Sequence, residues 1–206
     1  MMALPDIQLT LQKLLSPSRY AHCARVAAMS KRLADKWKLN SELAELAGWV
    51  HDCAKPLNPE QLDQMGIDRP EGSDATFEHF PAIWHSHVGP AVANSVFEIT
   101  DPDILAAIRT HTTGLPGMSP FSLAIFVADY CEPARTFPIR GFVEEVAFTQ
   151  GLLEAAYVVV VATIHHLLQT GRPIHPDTIQ FREWVLSELD AQHRHRLDLA
   201  LWPHLS

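Results

Sequence analysis

Asn40-Ser41-Glu42-Leu43-Ala44-Glu45-Leu46-Ala47-Gly48-Trp49-Val50-His51-Asp52-Cys53-Ala54-Lys55-Pro56 sets a helical apolar stripe beside two ligand-type side chains. Leu43, Ala47, Val50 and Ala54 recur at helical spacing and form one apolar stripe. Asn40-Ser41 supplies a cap, and Glu42 places an acid in the first turn. Pro56 ends the run. The stretch therefore predicts an amphipathic helix that carries an imidazole and a carboxylate, His51 and Asp52, near its end.

The same combination recurs on both sides. Upstream, Ser16-Pro17-Ser18 opens a helix with Val26, Met29, Leu33 and Trp37 on one face. His22 precedes Val26 by four, so it shares that face. Downstream, residues 55–84 read as a loop or lid insertion, broken by Pro56, Pro59, Gly66, Pro70, Gly72 and Pro81 around one short helix near Pro59 to Met65. A helix is predicted from about Ser86 to Phe97. Asp101-Pro102 starts another, in which Ile104, Ile108 and His111 fall on one face before Thr112-Thr113-Gly114 closes it. Ser119-Pro120 opens a run through Leu123, Ile125, Phe126, Val127 and Ala128 to Asp129. A long apolar helix ends near Gly171, and His175-Pro176-Asp177-Thr178 starts a last one. The valine run at 158–161 has helical flanks and is read with them. The expectation is an all-α helical bundle, a single domain over residues 1–206. Its core spans 18–186, and the tail over 187–206, with His193-Arg194-His195, reads as a solvated helix end.

Composition sets the outer limits. The 206 residues are 47% apolar and 19% charged, an ordinary folded composition. A net charge of −8 argues against nucleic acid or a membrane surface as partner. Met1 to Asp6 lack the basic and apolar regions of a secretory signal. The aliphatic stretch Ala155 to Ile164 falls short of the roughly 20 residues a bilayer needs. Cys23, Cys53 and Cys131 are scattered, with no CxxC pair, so neither a disulfide framework nor a thiolate zinc site is expected. These features predict a cytoplasmic protein. The oligomeric state stays open, with a homodimer among the options.

Chemistry enters with Asp129, which sits inside Leu123-Ala124-Ile125-Phe126-Val127-Ala128-Asp129-Tyr130. Burying an unpaired carboxylate costs several kcal/mol, so an arginine, a set of hydrogen bonds or a cation must compensate it. Taken singly, His22 and His111 read as core histidines with satisfied hydrogen bonds. His85 competes with neighbouring His79 and His87. Taken together, nitrogen and carboxylate ligands face inward on successive helices: His22, His51, Asp52, His85, His111 and Asp129. A helical bundle can aim such residues at one point. Imidazole and carboxylate without thiolate suit iron, manganese, zinc, cobalt or nickel better than a structural zinc. Two such ions would also let an acidic protein receive phosphate oxygens.

The order of these residues resembles the HD-domain superfamily of metal-dependent phosphohydrolases. Arg19-Tyr20-Ala21-His22, His51-Asp52-Cys53-Ala54-Lys55, His85-Ser86-His87-Val88-Gly89, Ile108-Arg109-Thr110-His111-Thr112-Thr113-Gly114, Pro116-Gly117-Met118-Ser119 and Ala128-Asp129-Tyr130-Cys131-Glu132-Pro133-Ala134-Arg135 resemble, in order, the YqeK-type symmetrical bis(5′-nucleosyl)-tetraphosphatases. The resemblance implies an enzyme that hydrolyses diadenosine tetraphosphate to two ADP at a dinuclear metal centre, with iron favoured. It implies that His22, His51, Asp52 and Asp129 hold one ion, and that Asp52 bridges to a second ion held by His85 and His111. It makes Asp52 and Lys55 catalytic, and Lys55, Arg109, Thr112, Thr113 and Arg135 contacts to the nucleotide substrate. The chain departs from the pattern at His85-Ser86-His87-Val88-Gly89-Pro90, where His-Gly-Pro-Val-Gly-Ala is expected. His87 is the ambiguous ligand there, and Pro90 bears on where the helix starts. Other HD-domain activities remain in competition: a 5′-nucleotidase, a cyclic or alarmone nucleotide phosphodiesterase, or a non-catalytic nucleotide-binding module.

Overall fold

The structure is a computed structural model that describes residues 2–204. Among these residues the chain forms twelve α-helices and a short 3-10 turn, with no strand. In order the helices are α1 (Leu4–Leu14), α2 (Pro17–Trp37), α3 (Ser41–Val50), α4 (Pro59–Gln64), α5 (Ser73–His79), α6 (Trp84–Phe97), α7 (Pro102–Thr110), α8 (Pro120–Cys131), α9 (Arg140–Thr149), α10 (Leu152–Gln169), α11 (Pro176–Glu188) and α12 (Ala191–Leu201). The all-helical expectation holds, including at the valine run inside α10.

Helix starts are written locally. In Ser16-Pro17, Asn58-Pro59, Asp101-Pro102, Ser119-Pro120 and His175-Pro176, a polar side chain accepts a backbone N–H of the first turn. The proline's missing donor is harmless there and its φ already suits a helix. Asn40 caps α3 in the same way, accepting from the Leu43 amide.

Packing brings the ligand-bearing elements together. One apolar cluster joins α1, α2, α3, α6, α7 and the start of α8 through residues such as Ile7, Ala27, Val50, Phe97, Ile108 and Ile125. The other joins α2 and α8 to α9–α12 through Val26, Met29, Val127, Val158 and Phe181. Helices α2 and α8 contribute to both, so His22 and Asp129 lie at the seam. Two glycines set the approach: a Cβ on Gly48 of α3 would lie 2.5 Å from the Ala27 Cα of α2, and one on Gly89 of α6 would lie 2.5 Å from Ile108 Cγ2 of α7.

Several elements differ from expectation. Helix α1 lies outside the expected elements; its Ile7 and Leu11 are fully buried one turn apart. The 55–84 segment holds two short helices instead of one; Gly72, at φ 77, turns the chain into α5. Helix α6 starts at Trp84, before Ser86, and keeps Pro90 inside it. Helix α11 is not the last. Asp190 caps α12, whose Leu197 and Leu201 are buried, so the described part of the tail, 187–204, is not simply a solvated end. Met1, Leu205 and Ser206 lie outside the described residues. Helix α10 has the length and apolarity of a membrane span. Its Ala155, Ala156, Val158 and Val159 are nevertheless buried in the second cluster.

Candidate metal centre

Five segments deliver the six histidine and aspartate side chains to one place. His22 comes from α2, His51 and Asp52 from the turn after α3, His85 from α6, His111 from the end of α7, and Asp129 from α8. His22, His51, Asp52, His85 and His111 are buried, and Asp129 is partly so.

Asp52 sits at the middle. Its Oδ2 lies 3.5 Å from His51 Nε2 and 3.8 Å from His22 Nε2. Its Oδ1 lies 3.0 Å from His85 Nε2 and 3.6 Å from His111 Nε2. Asp129 Oδ1 is 3.0 Å from His22 Nε2 and 3.9 Å from His51 Nε2. His22, His51 and Asp129 bring one ligand atom each within 4.8 Å of one another, and so do His51, Asp52 and His111.

The imidazoles are prepared as ligands. His51 Nδ1 lies 2.7 Å from Gly48 O, and His111 Nδ1 lies 2.7 Å from Ile108 O. A carbonyl only accepts, so in both rings Nδ1 carries the proton and Nε2 keeps its lone pair. His22 Nδ1 faces Glu132 Oε1 at 3.1 Å, with the same consequence. His22 Nε2 and His51 Nε2 are buried and have no hydrogen-bond partner. Buried polar atoms are rarely left so, and a metal ion satisfies a bare imidazole nitrogen. This donor set fits a divalent cation, with the outward N–H anchored as metal-bound histidines have it. His85 differs: Lys55 Nζ donates to its Nδ1 at 3.1 Å, and its Nε2 faces Asp52.

Charge is arranged to match. Burial pushes the His51 and His85 pKa values down to about 4, so both rings are neutral at pH 7. Burial raises the Asp52 pKa, but His51, His111 and His85 overcome it and hold the carboxyl well below its usual range. Asp129 behaves alike, with burial opposed by His22, His51 and Arg135. Arg19 Nη1 donates to Asp52 Oδ2 at 2.7 Å, and Arg135 Nη2 to Asp129 Oδ1 at 2.6 Å.

The remaining residues named from the sequence divide. Lys55 and Arg135 lie against the cluster; burial lowers the Lys55 pKa. Thr112 Oγ1 donates to Ser86 Oγ at 2.8 Å, while the buried Thr113 hydroxyl has no partner. Arg109 Nη2 faces Asp177 Oδ2 at 3.4 Å, away from the six. His87, two residues after His85, turns to the other side of α6 and groups with His175 and Asp177 at ligand spacing. The guanidinium of Arg109 beside Asp177 disfavours a cation in that group.

Three contributing residues escaped sequence reasoning. Glu132 is buried and takes His22 Nδ1, Arg25 Nε at 2.6 Å and the Ala134 amide at 2.7 Å. Burial raises its pKa, but Arg25, that amide and His22 bring it down to about 2. Arg19 and Arg25 flank His22 at one helical turn on either side, a spacing that could have marked them.

Two cavities border the cluster. A cavity of about 530 Å³ runs from Asp129 past Arg135 and Phe137 to α10. A smaller one of about 250 Å³ is lined by Ser18, Arg19, His22, Arg25 and Thr136, and shares Arg135 and Phe137 with the first. A third hollow, of about 460 Å³, lies in the 63–74 segment and contains none of the six.

Comparison with known proteins agrees with this geometry. The HD domain family model matches residues 19–134. The chain is 35% identical over 173 residues to a Bacillus subtilis protein named bis(5′-nucleosyl)-tetraphosphatase, symmetrical, covering 84% of this chain and 92% of that one. A Staphylococcus aureus protein of the same name is 32% identical, covering 80% of this chain and 85% of that one. Among solved structures, an HD superfamily hydrolase from Clostridium acetobutylicum, described as involved in NAD metabolism, aligns with a TM-score of 0.81. It is 31% identical, and the match covers 92% of this chain and 100% of that one. The chain therefore belongs to the HD-domain family and, within it, to the symmetrical bis(5′-nucleosyl)-tetraphosphatase group.

Proposed function

We propose that this protein is a metal-dependent hydrolase that cleaves diadenosine tetraphosphate symmetrically into two ADP. The observation that carries the reading is Asp52, whose two oxygens are divided between two sets of imidazoles. With that division, His22, His51, Asp52 and Asp129 would hold one ion, and Asp52, His85 and His111 a second. Iron is favoured, with manganese, cobalt, nickel and zinc as alternatives for a donor set of this kind. Held by these residues, such ions would supply Lewis-acid activation of water and charge compensation at the reacting oxygens.

The chain's own residues do the rest. Asp52 and Asp129 would hold the cations. Lys55 offers a point charge to a phosphate oxygen, and Arg135 a planar fork able to take two. Thr112 and Thr113 stand beside His111 and contribute hydroxyls. Arg109 serves more remotely, by fixing Asp177 at the start of α11. Lys55 Nζ also donates to Ala82 O at 3.1 Å and so ties the two ends of the 55–84 segment together beside the cluster. The relatives' names support the symmetrical cut. The three cysteines, free and buried, suit the cytoplasm.

The test is hydrolysis of diadenosine tetraphosphate by purified, metal-analysed protein, with nucleotides separated by chromatography. ADP alone, abolished by chelation, is the expected result. AMP with ATP would overturn the symmetrical cut, and no turnover by metal-loaded protein would overturn the substrate.

A further inference from the structure

The cavity of about 530 Å³ begins at a metal-centre carboxylate, Asp129, and ends against α10. Its size suits a small ligand rather than a lone ion. Its walls change character along its length. Next to Asp129 stands Arg135, whose guanidinium lies 5.5 Å over the Phe137 ring. The Phe137 ring packs 5.0 Å from Tyr130, yet Phe137 remains 41% exposed. Pro138, Ile139 and Ala162 add apolar wall beyond it, while His166 and Arg172 supply polar edges. Among the described residues Asp129 is the only acid lining the cavity, in a chain whose net charge is −8. The smaller cavity across Arg135 shares Phe137 but has little other apolar wall; Ser18, Arg19, His22, Arg25 and Glu132 line the rest of it.

An anionic end, a flat ring and a partly apolar body, in that order, describe a nucleotide. We propose that one purine nucleoside of the substrate occupies this cavity, with its base stacked on Phe137 and Arg135 on the adjoining phosphate. This deepens the hydrolase reading and rests on it for the identity of the phosphate chain. Phe137 is then the residue that distinguishes a nucleotide from a bare polyphosphate. Aromatic faces hold bases with little regard to their edges, so the cavity selects for a base and tolerates which base it is. The remainder of the polyphosphate crosses Arg135 toward the small arginine-lined cavity.

The test uses metal-loaded full-length protein, with ADP and inorganic tripolyphosphate as separate calorimetric probes. Phe137→Ala removes the ring, and Thr163→Trp on α10 fills the cavity from the opposite wall. The expected result is ADP affinity roughly tenfold weaker in Phe137→Ala, the loss that removal of one base–aromatic stack brings. Thr163→Trp weakens ADP at least as much, and both variants bind tripolyphosphate as the wild type does. Should Thr163→Trp fail to fold, the exposed Phe137 still carries the test. Unchanged ADP affinity in Phe137→Ala, or an equal loss for tripolyphosphate, overturns the proposal. Diadenosine tetraphosphate hydrolysis by the wild type is measured alongside. If hydrolysis is absent while ADP binding still depends on Phe137, the hydrolase reading fails and the nucleoside cavity stands. If hydrolysis is present and ADP binding ignores Phe137, the cavity assignment fails alone.

Discussion

Gly48→Ala is expected to loosen the metal centre without touching any ligand. The new Cβ would lie 2.5 Å from Ala27 Cα and 2.7 Å from Ala27 N. These are backbone atoms of α2, so no side chain can swing aside. Restoring even a tight 3.4 Å contact requires α2 and α3 to part by about 0.9 Å, the difference between those two distances. His22 rides on α2 and His51 directly follows α3, so their Nε2 atoms separate by a similar amount. Ligand distances at metal sites are held within about 0.2 Å, and the shift exceeds that tolerance. Overpacking of this kind costs about 1–3 kcal/mol. For a chain of this size the melting temperature should fall by roughly 2–12 °C. The assay is a thermal melt together with metal analysis after dialysis. Gly141→Ala is the control: its Cβ meets nothing within 4 Å inside α9, so stability should hold or rise by up to about 1 kcal/mol. A Gly48→Ala protein that melts with the wild type and retains as much metal would refute the reasoning.

Asp52→Ala should strip both ions, because its two oxygens serve both imidazole sets; full metal content by elemental analysis would show that the proposed centre is wrong. Glu132→Gln should weaken metal binding by about 10–100-fold. With the amide oxygen held by Arg25, its NH2 faces His22 Nδ1 and drives the ring proton to Nε2; chelator competition that finds wild-type affinity would exclude this role. The metal-stripped protein should lose stability in two acid steps, read from urea midpoints. His51 and His85 take protons only near pH 4, whereas the unfolded chain's imidazoles do so from about 6.5, so stability falls from pH 6.5 to 4. Glu132 adds stability above its ordinary value near 4.5 that is lost as pH falls toward 2. A midpoint unchanged from pH 7 to 3 would contradict both.

Much of this architecture was legible because its determinants are local. A polar residue before a proline marks five helix starts, and each functions as a cap in the structure. His22, His111 and Asp129 stood out as polar groups on apolar faces, and the structure brings them together with His51, Asp52 and His85. Elements whose signal is weak or nonlocal were harder. Helix α5 begins at a left-handed glycine rather than a side-chain cap. Helix α12 is polar over much of its surface, and only Leu197 and Leu201 reach the core. Glu132 follows α8 directly, and its partners, His22 and Arg25, lie more than a hundred residues away. No sequence period links positions so far apart. The surroundings of His87 were also hidden, since they depend on where the chain brings His175, the cap of α11, beside it.

The two rings anchored to carbonyls three residues back, His51 to Gly48 and His111 to Ile108, carry a lesson about heritability. In each case a helix's last turn both aims the imidazole and chooses which nitrogen is bare. Four consecutive residues thus contain a complete, self-orienting half-ligand that forms as soon as its helix does. His22 has no such autonomy, since its tautomer depends on a glutamate from a distant helix end. Such a short module can be transplanted: appended to the end of any helix that points inward, it would arrive already set. The ligand that relies on a remote partner is where drift in the chain would first silence the site.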